Sequence, residues 1–355
     1  MRVIFVTPDQ SDNSTGRTYC LWLIARALGW DTIVTAVRGE SIWEPLKGTL
    51  FAEHVLSLPK ENRMAINELR RLAEQADVML AFKPLSESFG LARRACATTG
   101  TPLVLDIDDP DLDAMLRRRA PLTRRAAKWM AKPGTMIRAL NLQRLTRRVP
   151  RFVSNPYLQQ IYGGTILPHV RDPNVVVHNH VSDKPRVVFV GTSRPHKGLD
   201  LLRAAVARLA TKGFTLTVTD RAPEDAQSWE TWLEGNDFQT GLALVSDSDI
   251  VALPSRNTPW AWGQLPAKLI GAMMSGVPTI VSNIEPMPWA VGNAGVVIDP
   301  DNEDELVSAL ESLTSPTIRE ELGRAARSRA EALFSVEANM GVFARVLIQA
   351  SNGTG

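Results

Sequence analysis

Residues 186–209 read RVVFVGTSRPHKGLDLLRAAVARL, and this stretch decides the fold class. Its first residues, RVVFVGT, are mostly β-branched or aromatic and predict a buried strand. From Leu199 to Lys212 apolar residues recur every three or four positions, which predicts a helix that packs on one face. A short basic loop that ends in Lys197 and Gly198 joins the two elements. A strand, a tight loop and a helix in this order are typical of a parallel α/β sheet.

The same alternation of strands and helices runs through the rest of the chain. The other clear apolar runs are RVIFVT at 2–7, VMLAF at 78–82, PLVLDI at 102–107, SDIVALP at 248–254 and PTIVS at 278–282. The stretch PHVRDPNVVVHNHVSDKP at 168–185 is rich in polar residues and proline, so it is typical of a linker. We therefore predict two similar α/β domains, residues 1–170 and 171–335. Such folds bind ligands at the carboxyl ends of their strands.

Length and composition exclude several classes of protein. The 355 residues suit two domains, and 44% apolar with 22% charged residues is ordinary globular composition. The two cysteines, Cys20 and Cys96, have no spacing for a disulfide framework or a structural zinc site, which fits a reducing cytoplasm. No run approaches 18 apolar residues, and MRVIFV is interrupted by Pro8 and Asp9 too early for a signal peptide. We expect a cytoplasmic protein.

The net charge of +2 conceals an uneven distribution of charge. Residues 1–180 carry 25 basic and 17 acidic side chains, whereas residues 181–355 carry 15 basic and 21 acidic ones. Between Ala114 and Arg171 there are 13 Lys or Arg residues and no Asp or Glu. Apolar residues, Trp and Met are interleaved with them, a pattern typical of helices that lie on anionic membranes.

We therefore predict a peripheral membrane protein on the inner face of the cell membrane. The predicted membrane-binding residues are Arg117, Arg118, Arg119, Arg124, Arg125, Lys128, Trp129 and Lys132. A soluble anionic acceptor or partner and a merely solvated basic face are the alternatives. Nucleic acid is not expected, because no aromatic platform or known nucleic-acid module is present.

Four segments of the chain carry a resemblance to a known family. They are VLDIDDPDL at 104–112, SNPYLQQIYGGTILPHVRD at 154–172, FVGTSRPHKGLDLLRAAVARL at 189–209 and LPAKLIGAMMSGVPTIVSN at 265–283. Together they resemble retaining GT-B glycosyltransferases of family 4. The resemblance implies two Rossmann-like domains that face each other across a cleft, with a C-terminal helix, 336–355, that packs back on the first domain.

The activity that the resemblance implies is transfer of a hexosyl or similar sugar from a nucleotide-sugar to an acceptor hydroxyl. It implies retention of anomeric configuration and no metal. No cofactor is expected apart from the nucleotide-diphosphate sugar, which is a co-substrate. The pathway would be glycan, glycolipid or cell-envelope synthesis in bacteria, with an acceptor that can be lipid-linked. A catalytically impaired GT-B protein that binds a glycan or a partner at the membrane is the alternative.

The basic loop after residue 190 suits a leaving phosphate. Sugar transfer builds negative charge on that phosphate, so fixed cations and the free N–H groups of a helix start stabilise it. By resemblance, Lys197 matches the diphosphate-binding lysine of the family, and Gly191 matches its strand-ending glycine. Arg194 stands two residues after the family's usual arginine position, which is Thr192 here. Arg194 and His196 are further candidates, and a solvated basic loop is the alternative.

The loop from Pro8 to Thr18 is the second candidate donor site. By resemblance, a glycine here brings backbone N–H groups against the donor phosphate, and Gly16 is the best match because a side chain would block close approach. Arg17, the next residue, is included as a donor-binding candidate. An ordinary turn between a strand and a helix is the alternative interpretation.

The predicted donor-site helix departs from the family pattern. The family carries two acidic residues where this chain has Gly263 and Gly271, although the frame around them is retained. Backbone groups can replace the lost contacts, the donor can differ, or the enzyme can be impaired. Trp260 and Trp262 either stack on a base or sugar or belong to the core. The donor-binding candidates in this segment are Trp262, Gly263, Gln264, Leu265, Lys268 and Gly271.

The acidic cluster after residue 105 is the candidate acceptor site. Asp108 and Asp109 lie near positions where family members carry a His-Asp or Asp-Asp pair, and carboxylates there orient an acceptor hydroxyl or stabilise a cationic transition state. We therefore predict Asp108, Asp109 and Lys197 as the catalytic residues. Helix capping and pairing with the arginine-rich segment are the alternative. His178 and His180 are weak metal candidates, His169 is interpreted as structural, and no metal site is predicted.

Overall fold

The computed structural model describes residues 1–116, 121–234 and 238–353. The chain divides into two compact units. Unit 1 comprises Met1–His169 together with the chain from Asn339 onwards, and unit 2 comprises Val170–Ala338. Each unit is an α/β structure built on one parallel sheet.

Unit 1 contains a seven-stranded parallel sheet. Its strands are β1 (Arg2–Asp9), β2 (Asp31–Arg38), β3 (Val55–Ser57), β4 (Val78–Phe82), β5 (Leu103–Ile107), β6 (Arg151–Val153) and β7 (Thr165–Ile166), in the order β3-β2-β1-β4-β5-β6-β7. β4 and β5 are buried at every position because helices cover both faces of a parallel sheet. The change of direction in strand order lies between β1 and β4, which is where such sheets open to a ligand.

Eight α-helices of unit 1 lie before residue 170 within the described residues. They are α1 (Thr15–Ala27), α2 (Leu50–Glu53), α3 (Asn62–Ala73), α4 (Leu91–Thr99), α5 (Asp111–Leu116), α6 (Leu122–Ala131), α7 (Pro133–Thr146) and α8 (Pro156–Tyr162). The basic segment therefore forms separate short helices, and Pro133 begins the third of them because proline suits the first turn of a helix. A five-residue π-helical turn, Ser86–Gly90, precedes α4.

Unit 2 contains a six-stranded parallel sheet. Its strands are β8 (Arg186–Phe189), β9 (Thr215–Val218), β10 (Glu230–Trp232), β11 (Ile250–Leu253), β12 (Thr279–Ser282) and β13 (Val296–Ile298), in the order β10-β9-β8-β11-β12-β13. Its helices are α9 (Leu199–Leu209), α10 (Phe238–Ser246), α11 (Ala267–Met274), α12 (Met287–Val291), α13 (Glu303–Ser312) and α14 (Pro316–Phe334). β8 and β11 are adjacent, so the loops after them meet at the change of direction in this sheet.

The last helix, α15 (Val336–Ser351), joins unit 1. Its Phe343 is fully buried, and the ring centroid lies 5.6 Å from that of Trp30 and 5.7 Å from that of Phe152. These aromatic contacts bury a large apolar surface and anchor the helix on the sheet of unit 1.

Candidate functional site

The loop after β8 is shaped by a glycine at its end. Gly198 has φ +67° and begins α9, and a Cβ on it would overlap the carbonyl oxygen of Pro254. Only glycine fits this left-handed conformation and close approach without strain. The tight turn directs Lys197 back toward the end of β8, where its Nζ donates to the carbonyl oxygen of Thr192 at 2.7 Å.

A second lysine reaches the same place from α11. Lys268 Nζ donates to the carbonyl oxygen of Val190, just past the end of β8. Gly191 has φ +108°, and a Cβ built on it would lie 2.6 Å from Lys268 Nζ and 3.7 Å from Lys197 Nζ. Both ammonium groups therefore lie beside Gly191, where the absence of a side chain leaves room for Lys268 Nζ.

The two ammonium groups are short of negative partners. Burial, together with the charge of Lys197, lowers the pKa of Lys268 to about 7. Burial, together with the charge of Arg194, lowers the pKa of Lys197 to about 8, and Asp220 opposes this only in part. Two partly buried cations with lowered pKa values favour a bound anion, because the anion restores the charge balance that the protein lacks.

Arg194 and His196 lie beside this lysine pair. Arg194 is exposed, and no ion pair is recorded for its guanidinium within the described ranges. Burial and the charges of Lys197 and Arg194 lower the pKa of His196. Asp220 accepts a hydrogen bond from the backbone N–H of Ser193 at 2.6 Å and so braces the loop. The loop thus presents Arg194, His196 and Lys197 at the carboxyl edge of the sheet, and α11 adds Lys268.

The segment that leads into α11 is divided between the core and the surface. Leu265 is 4% exposed and packs in the hydrophobic core, and its assignment as a donor contact stays a prediction. Trp262 is partly buried against the same core and its Nε1 donates to Asn257 at 3.0 Å. Trp260 is 59% exposed. Gln264, which precedes Leu265 in the chain, is half-buried.

The two glycines that replace acidic residues have different surroundings. Gly263 has φ +85°, and its N–H donates to the carbonyl oxygen of Glu285 at 2.8 Å. Gly271 is buried within α11, and a Cβ on it would lie 3.5 Å from Leu242 Cδ2, an ordinary contact distance. A side chain at position 271 would therefore start out against an apolar neighbour on α10.

Gly16 and Arg17, the predicted phosphate-site residues of unit 1, both have hydrogen-bond partners within the protein. Gly16 lies in the first turn of α1, its N–H donates to Asn13 at 3.1 Å, and a Cβ on it would lie 3.3 Å from the ring of Trp43. Arg17 is 2% exposed and pairs with Asp106 inside unit 1. The N–H of Gly16 and the guanidinium of Arg17 are thus engaged within the protein, and their assignment to the donor phosphate stays a prediction.

The ion pair of Arg17 and Asp106 has a structural geometry. Arg17 Nε and Nη2 donate to the two carboxylate oxygens at 2.9 and 2.7 Å, and Nη1 and Nη2 donate to the carbonyl oxygens of Pro168 and Leu167 at 2.7 Å. Burial lowers the pKa of Arg17, but the neighbouring charge of Asp106 outweighs burial and raises that pKa. The pair ties α1, the end of β5 and the chain after β7 together.

The acidic cluster of unit 1 is gathered around one lysine that the sequence did not indicate. Lys83 Nζ lies 3.1 Å from Asp108, 2.8 Å from Asp109 and 3.1 Å from Asp111. Lys83 is 7% exposed, follows β4 directly and has φ +63°, an uncommon conformation for a residue with a Cβ. Such strained residues cluster at functional sites.

The pKa values of Asp108 and Asp109 shift in opposite directions. Burial acts to raise the pKa of Asp108, but the charges of Lys83, His169 and Arg17 outweigh burial and lower that pKa. Burial raises the pKa of Asp109 in spite of Lys83. Asp108 is 6% exposed, whereas the side chain of Asp109 is 36% exposed. Asp109 is therefore the member that offers a carboxylate to a ligand, and Asp108 the one that holds Lys83 in place.

The histidines fall into two groups. His169 Nδ1 lies 3.9 Å from Cys20 Sγ inside unit 1, in a buried position. In unit 2, ligand atoms of His178, His180 and Asp249 lie within 4.8 Å of one another. Sequence reasoning missed Asp249 because it is 71 positions away from His178.

The carboxylate of Asp249 already has cationic partners. It accepts the backbone N–H of Arg186 at 2.9 Å, and it lies 3.4 Å from the guanidinium of Arg186 and 3.7 Å from that of Arg319. These two arginines satisfy its charge, so the geometry fits a buried ion-pair network better than a metal site.

The basic helices present both charge and apolar surface. None of the residues of α6 is buried, and Leu122 and Met130 are 76% and 80% exposed. Trp129 is 38% exposed, and Arg124 and Lys132 lie on the surface beside it. Arg125 is half-buried, and Lys128 donates to the carbonyl oxygen of Met115. The predicted contacts Arg117, Arg118 and Arg119 lie outside the described residues.

No helix within the described ranges is both long and apolar enough to cross a membrane.

The fold is that of the GT-B glycosyltransferases, with two α/β units that each contain a parallel sheet. HepE of Anabaena in complex with UDP-glucose is similar over 98% of this chain and 100% of its own, with a TM-score of 0.73 and 16% identity. Sucrose-phosphate synthase of Thermosynechococcus elongatus covers 99% of this chain and 100% of its own, at TM-score 0.70 and 14% identity. The lipopolysaccharide outer core galactosyltransferase WaaB covers both chains fully, at TM-score 0.63 and 14% identity.

A family model agrees with this likeness for unit 2. Residues 184–315 match the model described as glycosyl transferases group 1. The matched range contains Lys197, Lys268 and the loops around them. None of the curated protein sequences compared with this chain matches it.

Proposed function

We propose that this protein is a glycosyltransferase that moves a sugar from a nucleotide-sugar to an acceptor hydroxyl. The observation that carries the proposal is the pair Lys197 and Lys268, whose ammonium groups both lie beside Gly191 in the range that matches glycosyl transferases group 1. HepE, which shares the fold, has been solved with UDP-glucose. A nucleoside diphosphate supplies the anion that the lysine pair lacks.

The lysine pair would act on the leaving group. When the bond from the anomeric carbon to the phosphate oxygen breaks, negative charge grows on the phosphate. Cations held in place beside that oxygen stabilise the transition state more than the ground state. The new bond joins the anomeric carbon to the acceptor oxygen, whose proton is released. Retention of configuration and independence of metal belong to the proposal through the resemblance to family 4.

Asp109 is the residue to which we assign the acceptor. It is the more exposed carboxylate of the Lys83 cluster, and burial raises its pKa, so it is suited to accept a proton from a hydroxyl. Asp108 and Lys83 are positioning residues, since they hold Asp109 without sharing its exposure.

A membrane surface is the proposed place of the reaction. Exposed Leu122, Trp129 and Met130 lie among basic residues on α6, which combines the two forces that bind interfacial helices. Arg124→Glu with Lys132→Glu should abolish sedimentation with anionic liposomes at low salt. Arg63→Glu with Arg94→Glu makes the same change of charge elsewhere on unit 1 and should not. Equal binding to neutral liposomes would contradict electrostatic attachment.

Calorimetry with UDP, GDP, ADP and their sugar conjugates tests the donor site. We expect one nucleotide series to bind, and Lys197→Ala to weaken it by at least about tenfold, since a charged hydrogen bond contributes about 1.5–3 kcal/mol. Lys184→Ala removes an exposed lysine of the same unit and should leave binding unchanged. Failure of every nucleotide to bind would reject the proposal.

A second function is favoured by one observation. Gly263 and Gly271 stand where the family it resembles has acidic residues, so a binding protein without turnover is the competing candidate. Nucleotide-sugar hydrolysis or transfer measured over long incubation distinguishes the two, because the binding protein would hold the nucleotide and release no sugar.

A further inference from the structure

Glu285 lies in the loop after β12, at the same edge of the unit 2 sheet as the loop after β8. It follows the end of β12 by three residues, and β12 pairs with β11, which pairs in turn with β8. Its carbonyl oxygen accepts the N–H of Gly263 at 2.8 Å. Gly263 precedes α11, the helix that carries Lys268. The backbone of Glu285 is thereby held against the loop that leads to the proposed phosphate site.

The carboxylate of Glu285 has no hydrogen-bond or ion-pair partner among the described residues. The residue is half-buried, and neither a hydrogen bond nor an ion pair of its side chain is recorded among residues 1–116, 121–234 and 238–353. Two other carboxylates that follow strands of unit 2 have partners: Asp301 pairs with Arg256, and Asp220 accepts the N–H of Ser193. A half-buried carboxylate without a protein partner is available to accept hydrogen bonds from a ligand.

The position matches the chemistry of a nucleotide-sugar. The diphosphate requires cations, which Lys197 and Lys268 offer, and the sugar presents hydroxyl donors that a carboxylate accepts strongly. Gly263 has no side chain, so no carboxylate comes from that position. The loop after β12, whose backbone bonds to Gly263, carries a carboxylate in Glu285.

We propose that Glu285 is a specificity-determining residue that accepts hydrogen bonds from hydroxyl groups of the donor sugar. This inference rests on the proposed function, because it assumes that the lysine pair holds the diphosphate. It concerns a different part of the ligand, and the two can therefore be tested separately.

The test compares nucleoside diphosphates with their sugar conjugates. Calorimetry would use UDP, GDP and ADP, and the corresponding UDP-, GDP- and ADP-hexoses, on the wild-type chain and on Glu285→Ala and Glu285→Gln. We expect Glu285→Ala to weaken nucleotide-sugar binding by about 10- to 100-fold and to leave the nucleoside diphosphate within about twofold. Glu285→Gln, which keeps an acceptor oxygen without the charge, should lose less.

A matched control is available at the next strand. Asp299 is an exposed carboxylate directly after β13, one strand farther from the lysine pair, and Asp299→Ala should change neither affinity. Equal loss of nucleotide and nucleotide-sugar in Glu285→Ala would show that the residue only holds the Gly263 loop, and an unchanged nucleotide-sugar affinity would also overturn the inference. Nucleotide binding that depends on Lys197 would survive both outcomes. If no nucleotide binds the wild-type chain, the proposed function and this inference fail together.

Discussion

Arg17 and Asp106 form a two-bond ion pair in the interior of unit 1, with both side chains at most 1% exposed. Two further carbonyl oxygens, from Leu167 and Pro168, complete the hydrogen bonding of the guanidinium. The pair is part of the protein's interior scaffold, because every nitrogen of Arg17 already has a protein partner.

The first prediction concerns the loss of this pair. Arg17→Met leaves Asp106 as a buried charge without its partner, which costs about 3–5 kcal/mol. Arg17→Lys keeps the charge and loses the two-bond geometry, so it should be milder. Urea unfolding measures both, and Arg26→Lys, an exposed change on the same helix, is the control. If Arg17→Lys instead leaves stability intact and weakens nucleotide binding, Arg17 is a donor contact after all.

The second prediction concerns Asp111 and pH. Burial, together with Asp109 and Asp108 and against Lys83, raises the pKa of Asp111 to about 7. The folded carboxyl therefore holds its proton between about pH 4 and pH 7, where the unfolded one has lost it, and stability falls as pH rises through that window. Asp111→Asn removes this cost. It should raise the free energy of unfolding at pH 8 by about 1–2 kcal/mol and change it little at pH 4.5.

Urea unfolding at the two pH values measures this difference. Glu74→Gln, which neutralises an exposed carboxylate of unit 1, should show no such dependence. A loss of stability in Asp111→Asn at pH 8 would mean that its attraction to Lys83 outweighs burial.

Sequence reasoning reached the parts of the molecule that are local in the chain. The β-branched run at 186–190 and the tight Lys-Gly turn after it predict the β8–α9 unit because strand, turn and helix each have their own pattern. Lys197 and Lys268 were predicted as donor-binding residues from short motifs that resemble those of family 4, and their role stays a prediction. The GT-B fold that these motifs implied is confirmed.

The rest depends on contacts between distant segments. Lys83 meets Asp109 from 26 positions away, and Gly263 meets Glu285 because β11 and β12 are neighbours in the sheet. No local pattern marks such pairs. A usable signal was present, however, since a charged residue directly after an apolar strand, such as Lys83 after VMLAF, lies at the edge where parallel sheets bind ligands.

The third prediction concerns the charge of Lys268. Its pKa of about 7 in the folded chain lies below the ordinary 10.5. The folded lysine is therefore charged below pH 7, where burial of the charge costs stability, and this cost disappears as pH rises from about 7 to 10. Lys268→Met should therefore raise the melting temperature at pH 6.5 by about 2–4 °C for each kcal/mol gained. It should also abolish nucleotide binding, as expected where a functional site is costly for stability.

Differential scanning calorimetry at pH 6.5 and pH 9.5 measures the effect. The advantage of Lys268→Met should shrink at the higher pH, and Lys184→Met should show no change at either. A variant that is less stable at pH 6.5 would show that the hydrogen bond to Val190 contributes more than burial of the charge costs.

The last prediction separates two glycines of the proposed donor site. A Cβ at Gly191 would lie 2.6 Å from Lys268 Nζ and would need φ near +108°, whereas a Cβ at Gly271 would lie 3.5 Å from Leu242 in a helix. Gly191→Ala should displace the ammonium group and weaken nucleotide binding by about tenfold or more. Gly271→Ala should leave binding within about twofold and stabilise the chain by about 0.5–1 kcal/mol, because alanine favours helix. Calorimetric affinity and urea unfolding of the two variants check both halves. The reverse pattern would place the nucleotide against α11 near Leu242 and away from the lysine pair.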